Sequence, residues 1–129
     1  MANPEAYEQK SADIDSVTLH LVLPIGADGA PGTPTRGREF VPSTPAALGT
    51  TGTYTISLRE KWVAILGYSL NCQQATYSSS GACEVTLKTD SVNSAATFVV
   101  ECRTAAGALV TPASGDILFL TVDLQKTKP

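Results

Sequence analysis

The chain has 129 residues, nine Lys plus Arg against twelve Asp plus Glu, a formal net charge of -3, and 43% apolar residues. That suits one domain, long enough to hide roughly two-thirds of its unfolded surface without staples. The charges are scattered, so no basic stripe exists to collect phosphates and nucleic acid is not an expected partner. The longest apolar runs, Trp62 to Leu66 and Ile117 to Leu120, fall far short of the roughly 20 residues of a membrane-spanning helix.

Residues 1–15 are polar and acidic, follow neither the helical nor the strand period, and hold one aromatic, Tyr7. They are expected to be a flexible N-terminal arm unless a partner orders them. The opening Met-Ala-Asn-Pro-Glu has no basic region ahead of an apolar one, so no secretory signal is expected and the protein should be made in the cytoplasm. Val17, Leu19, Leu21 and Leu23 then alternate with Thr18, His20 and Val22, which predicts a first strand ended by Pro24. His20 lies on the polar phase and reads as a surface or edge side chain.

From Pro24 to Gly52 the chain gathers six of its ten glycines and five of its eight prolines, which forbids a regular helix or a central strand. Gly26-Ala27-Asp28, Gly29-Ala30-Pro31 and Gly32-Thr33-Pro34 are consecutive Gly-X-Y triplets, and Thr35 then breaks the repeat. Three triplets cannot hold a collagen helix, so a short extended, polyproline-like stretch is predicted. A connection of this length is either disordered or an arm lying on something. Arg36, Arg38 and Glu39 follow, then Phe40-Val41, which reads as a short edge strand or an anchor. Without a partner the arginines are solvated loop charges.

Beyond Gly52 the period of two dominates. Gly52 to Leu58 is a predicted strand, Arg59-Glu60-Lys61 a charged turn, and Trp62 to Tyr68 an apolar run suited to a strand buried on both faces. Leu58, Trp62, Ile65 and Leu66 also fit helical spacing. A hairpin is preferred because Thr53 to Ile56 has strong β-propensity and Gly67 interrupts a helix. After a Gln/Ser-rich loop from Asn71 to Gly81 come strands at Cys83 to Thr89 and Ala96 to Thr104, with a turn at Asp90 to Ser94 between them. A turn at Thr111 to Asp116 then leads to a last strand, Ile117 to Leu124. The prediction is an all-β protein, an antiparallel two-sheet sandwich of jelly-roll-like form. It comprises an arm at 1–15 and one domain at 16–129 that contains the extended segment 24–52. Tyr54, Trp62 and Phe98 occupy apolar phases and are assigned to its core.

Constellations for catalysis are missing. A nucleophile system needs a histidine with an orienting partner, and His20 stands alone on its strand. The carboxylates Glu60, Glu84, Glu101, Asp116 and Asp123 are spaced like solvent-face charges, and no phosphate-cradling glycine motif occurs. Asp116, after Gly115, is expected to support a turn through its side chain. Cys72, Cys83 and Cys102 are an odd number without Cys-x-x-Cys spacing. They read as small buried hydrophobes, with a Cys72 to Cys83 bridge as the alternative and zinc as the remotest option. No enzyme activity, cofactor or metal is expected.

The runs Gly52-Thr53-Tyr54-Thr55-Ile56-Ser57-Leu58, Lys61-Trp62-Val63-Ala64-Ile65-Leu66-Gly67 and Pro112-Ala113-Ser114-Gly115-Asp116 resemble those of small structural proteins of tailed bacteriophages. In these a "GTYT-x-x-L" strand, a "K-Y/W-V-x-L-L-G" strand and a late "PASGD" turn recur in a compact β domain. Within that group the chain is most similar to head decoration, or cement, proteins, and the match covers about residues 50 to 126. The resemblance implies a virion location on the capsid surface, the major capsid protein as partner, and self-association as dimers or trimers. The irregular first half would then supply the contacts, with Tyr7, Arg36, Arg38 and Phe40 as the candidate residues. The alternative is a receptor- or carbohydrate-binding module of a phage tail or fibre, with Tyr68 and Tyr77 as stacking rings.

Overall fold

The computed structural model describes residues 16–42 and 45–126. The arm predicted at 1–15, Tyr7 included, lies outside the described residues. Seven strands run in chain order as β1 Ser16–Pro24, β2 Ala46–Leu48, β3 Thr53–Ser57, β4 Ala64–Gln73, β5 Glu84–Ser91, β6 Thr97–Arg103 and β7 Ile117–Gln125. They form two antiparallel sheets, one ordered β1-β7-β4 and the other β2-β3-β6-β5. The chain is an all-β two-sheet sandwich.

Period-two alternation fills the space between the sheets. From the first sheet Leu19, Leu21 and Leu23 point inward beside Leu118, Leu120, Val122 and Leu124, all at most 1% exposed. From the second come Tyr54 and Ile56 on β3 with Phe98, Val100 and Cys102 on β6, each fully buried. Trp62 joins the same core at 5% exposure, so the three aromatics take the places the sequence assigned to them. His20 lies on the outer face of edge strand β1, where its Nδ1 meets the Thr121 hydroxyl at 3.4 Å.

Three expectations about the strands are corrected. The strand Gly52 to Leu58 and the run from Trp62 do not form a hairpin: β3 pairs with β2 and β6, while β4 pairs with β7 in the opposite sheet. Residues 58–63 therefore cross from one sheet to the other. The backbone N–H of Leu58 reaches the Ala96 carbonyl and that of Trp62 the Val92 carbonyl, while that of Val63 reaches Gln125. A charged three-residue turn closes an in-plane hairpin or a crossing between layers equally well, and burial of Trp62 between the layers decides for the crossing.

Second, β4 is not buried on both faces. It is an edge strand with β7 as its sole ladder partner, and a bulge between Ile65 and Gly67 turns Leu66 outward. Leu66 is 49% and Tyr68 55% exposed. The strand also runs on to Gln73, so the loop expected from Asn71 starts later. Third, Phe40-Val41 is not a strand: Arg38–Phe40 is a single 3₁₀ turn entered through Gly37 at φ 87°. Here the positive φ serves a close approach, because a Cβ on Gly37 would lie 2.5 Å from the His20 carbonyl oxygen.

The Gly/Pro-rich segment lies on the chain's own sandwich. Thr35 donates to the Val22 carbonyl at 3.0 Å and Val22 to that of Arg36 at 3.3 Å, which covers part of the outer edge of β1. Tyr54 Oη donates to the Gly29 carbonyl at 2.7 Å in the interior. Ile25 and Val41 are buried at 4% and 1%, pinning the segment near either end. The Gly26-to-Ala30 portion is a tight turn with Asp28 and Gly29 at positive φ rather than polyproline helix. Asp116 is the main polar strut: its carboxylate accepts the Ala75 and Ala113 N–H groups at 3.0 Å each, and its backbone carbonyl accepts that of Ile25. Support of the 111–116 turn through this side chain is thus what the structure contains, with Ala75 as an addition.

Candidate functional site: an arginine-aromatic corner

Where the segment turns through Arg38–Phe40 it meets the crossing connection 58–63, and two cavities open on either side of Arg59. The first, about 200 Å³, is lined by Glu39, Phe40, Arg59, Glu60 and Trp62. The second, about 360 Å³, is lined by Thr33, Pro34, Arg38, Val41, Pro42 and Arg59. Four of the nine basic residues, Arg36, Arg38, Arg59 and Lys61, belong to these two adjoining segments. The corner is locally cationic on a chain of negative net charge.

Backbone contacts fix the geometry. Arg59 Nε donates to the Val41 carbonyl at 2.7 Å, its Nη2 reaches the Arg38 carbonyl at 3.5 Å, and its backbone N–H donates to the Phe40 carbonyl at 3.0 Å. The guanidinium is thereby held against the 3₁₀ turn with donors left over, since an arginine carries five. The Phe40 and Trp62 rings sit 6.3 Å apart at an interplanar angle of 52°, a tilted pair of the kind that adds modest stability beyond area burial. The Trp62 indole Nε1 is the one buried side-chain nitrogen or oxygen without a hydrogen-bond partner among the described residues.

Among the described residues the ion pairs are Lys88 with Glu101 and Arg103 with Glu101, both on the β5–β6 face. The arginines of the corner are outside that set. Of the sequence-derived candidates, Arg38 and Phe40 line the cavities, one each. Arg36 is exposed on the edge of β1, bridging to Val22 through its backbone. The residues that sequence reasoning missed are Arg59, Glu60 and Trp62 as walls of this corner. Their only signal was a charged turn beside a tryptophan, which reads equally well as a hairpin.

Tyr68 and Tyr77 are 55% and 75% exposed, the former on β4 and the latter in the loop after it. All three cysteines are free, so the Cys72 to Cys83 bridge is absent. Cys102 is fully buried, whereas Cys72 and Cys83 are only partly so. Burial pushes the Cys72 thiol up to about 11 and the Cys102 thiol up to about 12, with neighbouring acidic groups adding to each. Such thiols are poor nucleophiles near neutrality. The described residues contain no cluster of three His, Cys, Asp or Glu able to hold a metal ion and no helix able to cross a membrane.

The chain is thus a β-sandwich with a corner where Arg59 braces the Arg38–Phe40 turn. No protein-family model, curated protein or solved structure matches the chain.

Proposed function

We propose that the protein decorates the head of a tailed bacteriophage, binding the outer surface of the assembled capsid and stabilising the shell by bridging subunits of the major capsid protein. The observation that carries this reading is the corner itself. Two arginines and a phenylalanine stand on a segment whose backbone is anchored to the sandwich, so little backbone entropy remains to be lost on docking. Arginine and aromatic side chains are the residue types that dominate protein interfaces. The sequence resemblance over residues 50 to 126 supplies the class of partner.

A capsid lattice repeats composite surfaces at its symmetry axes, which suits a small rigid body offering one specific corner. β4 ends its sheet with Leu66 and Tyr68 half exposed, which supports self-association into the dimers or trimers that such axes accept. Co-sedimentation with expanded heads lacking the protein tests this reading: the wild type binds and raises their thermal disruption temperature, while Arg38→Glu binds markedly less. Absence of binding to heads, with the protein found in tails, would reject it. The exposure of Tyr68 and Tyr77 favours one second reading, a glycan-binding tail module, and a glycan array without hits counts against that.

A further inference from the structure

We infer that the cavity between Arg38 and Arg59 is a carboxylate-binding site, built to receive an aspartate or glutamate side chain of a protein partner; this rests on the reading that the corner meets a protein. Arg38 and Arg59 both line the 360 Å³ cavity, and its remaining walls are Thr33, Pro34, Val41 and Pro42, with no acidic residue among them. Two basic residues beside one space whose lining holds no counter-charge favour an incoming anion. Arg59 is fixed through Nε to the Val41 carbonyl. Its Nη1 hydrogens and a remaining Nη2 hydrogen stay available to an oxygen pair, the planar fork that matches a carboxylate. Thr33 adds a hydroxyl at the same wall.

The walls also decide which anion fits. The prolines Pro34 and Pro42 give part of the wall an apolar character, against which the methylene stem of an acidic side chain can pack. The chain's net charge of -3 works against any long polyanion as well. Across Arg59, the smaller cavity carries Glu39 and Glu60, which repel an anion and favour a cationic or amide side chain. An extended partner segment is therefore read by charge order, its acidic residue beside Arg38 and a basic or amide residue beside Phe40 and Trp62.

The test is a titration of the ¹⁵N-labelled full chain, at constant ionic strength, with N-acetyl-glutamate amide, N-acetyl-glutamine amide and inorganic phosphate. The glutamate probe should shift the Thr33, Arg38 and Val41 amides and the Arg59 Nε–H saturably, and the glutamine probe should not. Arg38→Gln, which alters an exposed side chain, should weaken glutamate binding at least about tenfold, the loss expected for one charge-assisted bond. Arg59→Gln should do the same. Equal response to the two amino-acid probes, unchanged affinity in Arg38→Gln, or tighter binding of phosphate than of glutamate would overturn the assignment. If glutamate binds but Arg38→Gln still coats capsids fully, the site stands and its role in decoration falls. If glutamate does not bind, the site falls whatever the capsid assay gives.

Discussion

Replacing Tyr54 by phenylalanine isolates one of the bonds that hold the segment leading to the candidate site against the sandwich. Tyr54 is fully buried on β3, and its hydroxyl donates to the Gly29 carbonyl at 2.7 Å. The substitution keeps the ring and removes only that donor, leaving a carbonyl in the interior without it. The cost is that of a stranded buried acceptor, about 1 to 3 kcal/mol. For a chain of this length each kcal/mol lowers the melting temperature by roughly 4 °C, so a fall of about 4 to 12 °C is expected by calorimetry. The effect should also be local. Amide exchange should quicken at Gly29, Ala30 and Gly32, while Leu120 and Val122 in β7 lose protection only by the global change. Unchanged melting together with unchanged exchange at these positions would refute the view that Tyr54 tethers the segment.

Three further outcomes follow from the same geometry. Asp116→Ala strips two part-buried backbone N–H groups, of Ala75 and Ala113, of their carboxylate acceptor and should destabilise by about 1 to 3 kcal/mol in urea titration; Asp116→Asn, which keeps an acceptor oxygen, should cost less. Gly37→Ala places a Cβ 2.5 Å from the His20 carbonyl at a backbone φ of 87°. Strain of about 1 to 2 kcal/mol for the left-handed conformation adds to that clash, so the segment should lift from β1 and capsid binding should fall with stability. Cys102 keeps its proton up to about 12 in the folded chain, against an ordinary value of 9.0. The unfolded chain releases that proton first as pH rises. Stability should therefore decline between about pH 9 and pH 12, this thiol contributing a slope of up to about 1.4 kcal/mol per pH unit. Cys102→Ala should flatten that part of the profile, and at neutral pH Cys102 should resist alkylation until the protein unfolds.

The sequence by itself determined the strands β1, β3, β6 and β7 and which side of each is buried. Alternation at Leu19 to Leu23, Tyr54 to Leu58, Phe98 to Cys102 and Leu118 to Leu124 is a local property, because the side-chain period of an extended chain is two whatever it pairs with. Tyr54, Phe98 and Trp62 were legible as core for that reason, and Asp116 as a turn support because its Ala113 partner is three residues away. Arg38 and Phe40 could be singled out only as an aromatic and a charge in an irregular stretch.

Tertiary structure alone decided the pairings and the corner. Thr53–Ser57 and Ala64–Gln73 carry the same local pattern whether they share a sheet or face each other across the core. Pairing is set by partners far along the chain, β7 for β4 and β6 for β3. The three-residue strand β2 has too little pattern to be seen, and it exists because Leu48 stands opposite Tyr54. From sequence the segment 24–42 reads only as either a disordered stretch or an arm lying on something, because its anchors are single, distant contacts: Gly29 to Tyr54, Thr35 to Val22, and Val41 to Arg59. None of them leaves a periodic trace. The cavity between Arg38 and Arg59 follows from those contacts, since it brings together two arginines that are neighbours in space and 21 residues apart in the chain.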